Sequence, residues 1–100
     1  MLRNSFLDFF LEQLTPLDGL RCKRMFGGHG LYCGERFFGI VFDGRLYFKI
    51  NPDTLPEIME YHAPVFAPSE KQVLHNYREV PLDILEDSDR LQLWAQRAAG

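Results

Sequence analysis

The chain predicts an α+β domain with two layers in the order α-β(3)-α-β(2)-α and an antiparallel sheet. Three observations predict it. Apolar residues recur at helical spacing near both ends: Leu7, Phe10, Leu11 and Leu14 first, then Leu91, Trp94, Ala95 and Ala98. The middle carries two hairpin signals, Gly34-Glu35 and Asp43-Gly44, between aromatic-rich segments. A Pro-flanked helical segment and two further extended segments then separate this region from the last helix.

Asn4 or Ser5 caps the first helix in this reading, because a short side-chain oxygen accepts from unpaired first-turn amides. Phe6 lies beside the apolar stripe and Phe9 on its flank. Thr15-Pro16 stops the helix, since the residue before proline avoids helical geometry. A strand is expected from Leu20 to Phe26, with a bulge at Gly27-Gly28, after which it resumes through Leu31, Tyr32 and Cys33.

Gly34-Glu35 suits a type II′ turn and Asp43-Gly44 a type I′ turn. Tight turns set the register. Cys33 then pairs with Arg36, Tyr32 with Phe37, Leu31 with Phe38 and Gly30 with Gly39; Phe42 pairs with Arg45, Ile40 with Tyr47, Gly39 with Phe48 and Phe37 with Ile50. One face carries Tyr32, Phe37, Val41, Leu46, Phe48 and Ile50, the expected core side. The other carries Leu31, Phe38, Ile40, Phe42 and Tyr47 among His29, Arg36, Arg45 and Lys49. It is too apolar for plain solvent surface, so a segment of the chain, a second copy or a partner should cover it.

A short helix is expected from about Asp53 to Tyr61, with Leu55, Ile58 and Met59 facing inward. Val65 to Ala67 and Gln72 to Val80 form the second strand pair, with Val73 and Leu74 or Tyr77 reaching the core. Pro81 to Leu85 makes a single helical turn, and Asp87 or Ser88 caps the last helix.

One hundred residues suit one domain, 1–100, and an apolar content of 46% marks an ordered globular chain. The net charge of −3 argues against a dedicated nucleic-acid binder, which needs a basic excess to neutralise phosphates. Two cysteines, Cys22 and Cys33, make no secreted disulfide framework. The N-terminal stretch holds Asp8 and Glu12 and does not read as a signal peptide, and no apolar run approaches a membrane span. A cytoplasmic location is expected.

No catalytic, cofactor or metal site is expected. His29 has no nucleophile or carboxylate beside it with supporting spacing, so a surface histidine is the plainer account. Cys33 would need a base and an electropositive pocket to serve as a nucleophile, and two small buried hydrophobes account better for the cysteines. Gly27, Gly28 and Gly30 lack the following helix start of a phosphate loop. Arg21, Lys23 and Arg24 have the look of a basic strand that binds single-stranded nucleic acid; a solvated strand with an edge arginine is the plainer account.

The run Arg24 to Tyr32, with Phe38-Gly39-Ile40-Val41 and Asp43 to Lys49, resembles the N-terminal domain of the TfoX/Sxy family of bacterial competence regulators. Tyr77 to Pro81, Leu85-Glu86-Asp87 and Leu93-Trp94-Ala95 resemble that family's closing strand and helix. The resemblance implies the order of elements given above, and a fold similar to that of secretion chaperones, which commonly act as dimers. It also implies a cytosolic bacterial protein with a regulatory role and no catalytic residues. The full-length regulators act with the cyclic-AMP receptor protein at competence-gene promoters and carry a helical C-terminal domain. This chain lacks that domain, which argues against direct promoter action.

The expected function is therefore a non-enzymatic regulatory module that binds a protein, such as a transcription factor or a second copy of itself. Phe38, Ile40, Phe42 and Tyr47 are the expected contacts, with Arg45 and Lys49 at the rim. A nucleic-acid-binding accessory domain using Arg21, Lys23 and Arg24 is the alternative, and a small sensor or enzyme using His29 with Cys33 or Tyr32 the lesser one.

Overall fold

Ten elements and one antiparallel sheet make up the computed structural model, which describes residues 5–25 and 27–100. Helix α1 spans Ser5–Gln13, and strands β1 to β4 span Leu20–Met25, Gly28–Cys33, Arg36–Phe42 and Arg45–Lys49. Helix α2 is Leu55–Glu60, β5 and β6 are Val65–Ser69 and Gln72–Glu79, α3 is Leu82–Leu85, and α4 is Ser88–Ala99. The sheet order is β1-β2-β3-β4-β6-β5. The helices lie on one side, where α4 packs on β3 and β4 and against α1 and α3. The expected cap at Asn4 or the Ser5 side chain, and Phe26, lie outside the described residues.

The α+β class and antiparallel sheet agree with the sequence reading, but the first strand does not continue through a bulge. It reverses. Gly27 adopts a left-handed φ of +77°, and β1 pairs with β2 as a hairpin from Leu20↔Cys33 to Met25↔Gly28. The sheet therefore has six strands rather than five. Gly28 is required by packing: a Cβ there would lie 2.3 Å from the Val41 carbonyl oxygen.

Both expected turns form. Gly34 has φ +62°, and Asp43 and Gly44 have φ +52° and +72°, as a type I′ turn demands. The register from Phe42↔Arg45 to Gly39↔Phe48 is the expected one. Between β2 and β3 it slips. Tyr32 pairs with Phe37, but Leu31 pairs with Gly39, leaving Phe38 as the extra residue of a bulge. Phe38 and Leu31 thereby join the helix-side core, while Tyr32 and Phe37 turn to the other face. The expected face assignment is corrected at these four positions and at His29 and Arg36, which move to the helix side because His29 pairs with Val41 and Arg36 with Cys33. The Phe37 to Ile50 pairing is also absent, and the Ile50 amide donates to the Asn76 carbonyl at 2.7 Å.

The main core joins Phe38, Val41, Leu46 and Phe48 of the sheet to Phe10, Ile58, Ile84, Leu91 and Trp94 of the helices and to Leu14 in the turn after α1. All four expected residues of the α4 stripe are buried, and the Asp87 carboxylate caps that helix by accepting from the Arg90 amide at 3.2 Å. Helix α2 departs from expectation: Ile58 is buried, but Leu55 and Met59 are exposed. A six-residue helix presents only a narrow inward stripe, here Thr54 and Ile58, four positions apart. Val73 is likewise exposed, while Tyr77 is buried and Leu74 half-buried.

Candidate interaction surfaces

The sheet face away from the helices is covered in part by the chain itself. Phe66 of β5 lies over it, with ring centroids 5.0 Å from Tyr47 and 5.4 Å from Phe42, both edge-on. Ile40, Tyr47, Phe66 and Tyr77 form a second small core there. Register irregularities in the β5–β6 ladder accompany this arrangement. The expected contact residues therefore form no exposed patch. Phe38 is in the helix-side core, Ile40 and Tyr47 are buried under the β5–β6 pair, and Phe42 is half-buried. Arg45 is exposed but tied to Glu79 at 3.1 Å, a hydrogen bond that pushes its pKa up. Lys49 is exposed, opposite Tyr77.

The rest of this face stays open over β1, β2 and the start of β3. A row of groups crosses it. Lys23 Nζ stands 5.2 Å from the centroid of the Tyr32 ring, Tyr32 stacks on Phe37 at 5.1 Å, and Phe37 meets Tyr77 at 5.0 Å. The Tyr77 hydroxyl donates to the Phe37 carbonyl oxygen at 3.3 Å, and burial, with the Tyr32 phenol nearby, pushes its pKa up to about 12. Arg21 and Lys23 share this side because their pairing partners are Tyr32 and Gly30. Arg24 projects to the other side, opposite His29. Strand alternation thus separates the three cations that the sequence grouped together.

A third surface escaped the sequence reading. Phe6, Phe9 and Phe10 of α1, the turn at Gly44, and Leu82 and Leu85 of α3 line a groove of about 790 Å³. Phe6 is 57% exposed and Leu82 66%. A Cβ on Gly44 would lie 3.0 Å from the Phe6 ring, so the turn glycine lets the ring approach. Glu86 joins the lining, and the segment from Leu82 to Asp89 holds Asp83, Glu86, Asp87 and Asp89 with no cation. The signal was present: Phe6 and Phe9 lie off the buried stripe, three residues apart, and so form a second apolar line on α1.

The groups that invited catalytic readings do not assemble. Cys22 and Cys33 are free, half-buried and on the helix side of adjoining strands, with Cys22 opposite Leu31 and Cys33 opposite Leu20. Burial raises both thiol pKa values; at Cys33 Asp18 adds to the rise and Arg36 offsets part of it. Raised values keep both as thiols, the unreactive form. His29 faces Arg24 and Val41 across the ladders, and its Nδ1 is buried without a hydrogen-bond partner. No three His, Cys, Asp or Glu residues cluster for a metal among the described residues. No helix among them is long and apolar enough to cross a membrane.

The family model of the TfoX N-terminal domain matches residues 12–100, and the chain belongs to that family. No curated protein matches the chain.

Proposed function

We propose that this member of the TfoX N-terminal domain family is a non-enzymatic regulatory module that acts by binding a protein partner, a transcription factor being the favoured class. Family membership supports the regulatory part. The groove between α1, the β3–β4 turn and α3 carries the binding part, because Phe6, Phe9 and Leu82 expose apolar surface together. It replaces the covered sheet face as the contact surface. Phe6 and Phe9 supply the aromatic anchors that dominate interface energetics, and the acids of α3 and the following turn supply a polar rim.

The nucleic-acid reading has one supporting feature, the row of Lys23, Tyr32 and Phe37 on the open face. It loses Arg24, which lies on the opposite side. The protein-binding reading is preferred.

The test compares transcript levels in the native host with the wild-type chain, a deletion, and Leu82→Glu. Leu82 is 66% exposed, so its replacement should change stability by no more than about 0.5 kcal/mol. The expected result is that deletion alters a defined set of transcripts and Leu82→Glu reproduces the change. Unaltered transcripts on deletion would refute the regulatory role. Wild-type transcripts with Leu82→Glu would refute the groove.

A further inference from the structure

The two edges of the sheet are unlike each other. β5, at one edge, contains Pro68, which has no amide hydrogen, and its pairing with β6 shifts register twice. β1, at the other, pairs with β2 over its full length from Leu20 to Met25 with no shift. A regular strand at an edge presents a regular row of backbone groups.

Which groups face outward follows from one hydrogen bond. The Gly34 amide donates to the Gly19 carbonyl oxygen at 2.8 Å, just beyond the Leu20↔Cys33 pair. In an antiparallel ladder, hydrogen-bonded and non-hydrogen-bonded pairs alternate. Arg21, Lys23 and Met25 therefore direct their backbone groups to β2, and Leu20, Cys22 and Arg24 direct theirs away. Three amide donors and three carbonyl acceptors thus line the outer edge, on alternate residues about 6.8 Å apart.

The side chains beside this row are cationic on both faces. Arg21 and Lys23 flank it on the open face and Arg24 on the helix side. No acid lies between Leu20 and Met25, in a chain whose net charge is −3. This charge pattern opposes a second copy, because pairing β1 with another β1 brings cations against cations. It complements a strand that carries acids on both faces.

We propose that β1 is a docking edge that takes an extended, acidic segment of a partner protein as an additional strand of the sheet. The main chain of the segment completes the ladder at Leu20, Cys22 and Arg24. Its acids meet Arg21 and Lys23 on one face and Arg24 on the other. This edge is separate from the groove at α1 and α3, and neither surface depends on the other.

The test is amide hydrogen exchange on the full chain with a peptide of about seven residues, Val-Glu-Glu-Val-Glu-Glu-Val, which carries acids on both faces of an extended strand and matches β1 in length. The Val-Lys analogue and an oligothymidylate serve as comparisons. The expected result is slowing of about tenfold or more at Leu20, Cys22 and Arg24, with the Arg21 and Lys23 amides, already paired, unchanged. Lys23→Glu with Arg24→Glu should abolish the slowing, and both residues are exposed, so the fold should persist. Leu82→Glu should leave it intact, which separates this result from that of the groove. No selective slowing at the three outward amides at millimolar acidic peptide would overturn the proposal. So would equal slowing by the Val-Lys peptide, or binding of the oligothymidylate alone, centred on Tyr32 and Phe37.

Discussion

Phe66→Ala tests whether the β5–β6 pair closes the second sheet face. Phe66 is fully buried, and its ring contacts Tyr47 and Phe42 edge-on. Removing a buried phenylalanine ring costs about 3–5 kcal/mol, a range that already includes the loss of its edge-on ring contacts. The site sits under a strand pair at the sheet edge, where neighbours can partly collapse, so the lower half of that range applies, about 3–4 kcal/mol. A 100-residue domain has about 5–15 kcal/mol in total. The melting temperature should therefore fall by roughly 12–30 °C. Urea unfolding followed by circular dichroism measures the loss, and binding of a hydrophobic dye reports exposure of Ile40 and Tyr47. Phe66→Leu, which keeps most of the volume, should cost less than about 1.5 kcal/mol. Val73→Ala, on the same strand pair but exposed, should change stability by no more than about 0.5 kcal/mol. A loss below about 1 kcal/mol for Phe66→Ala, with no added dye binding, would show that the face is not closed this way.

Two further outcomes follow from named contacts. The Tyr77 pKa is raised from 10 to about 12, so the folded state favours the neutral phenol; the stabilisation is fully present below pH 10 and is lost as pH rises toward 12. The shift corresponds to about 2–3 kcal/mol, and stability curves across that window, with phenolate absorbance, should lose a late-titrating tyrosine component in Tyr77→Phe, while Tyr47, which burial also raises, keeps its own. Gly28→Ala should cost at least about 3 kcal/mol, because its Cβ would meet main-chain atoms of Val41 and Phe42, which cannot swing aside. Gly34→Ala meets nothing within 4 Å and should cost only about 1 kcal/mol for its φ of +62°; comparable losses in urea titrations of the two variants would contradict the close strand packing.

The sequence was informative about the groove only in part. It placed Phe6 and Phe9 off the buried stripe, but the groove also needs α3 and the Gly44 turn, which lie far off in sequence. The basic strand was legible as composition. Its division into Arg21 and Lys23 on one side and Arg24 on the other follows from strand alternation, yet its position at an open edge follows from sheet order. Family membership was legible as well, in the glycine-rich block and the Asp43-Gly44-Arg45-Leu46-Tyr47 block.

What the sequence by itself determined is local. Asp43-Gly44 specifies a turn because its backbone needs positive φ at both residues, and the α4 stripe is legible because a helix repeats every 3.6 residues. Tertiary structure alone decided the reversal at Gly27, the bulge at Phe38, and the burial of Ile40 and Tyr47 under Phe66. A glycine pair permits a bulge or a turn equally, and the choice falls to whatever packs against it. Here the Val41 carbonyl and the Phe42 backbone lie where a Gly28 side chain would be. A slip of one residue then exchanges the faces of a strand, so Phe38 entered the main core and Phe37 joined Tyr32 outside it.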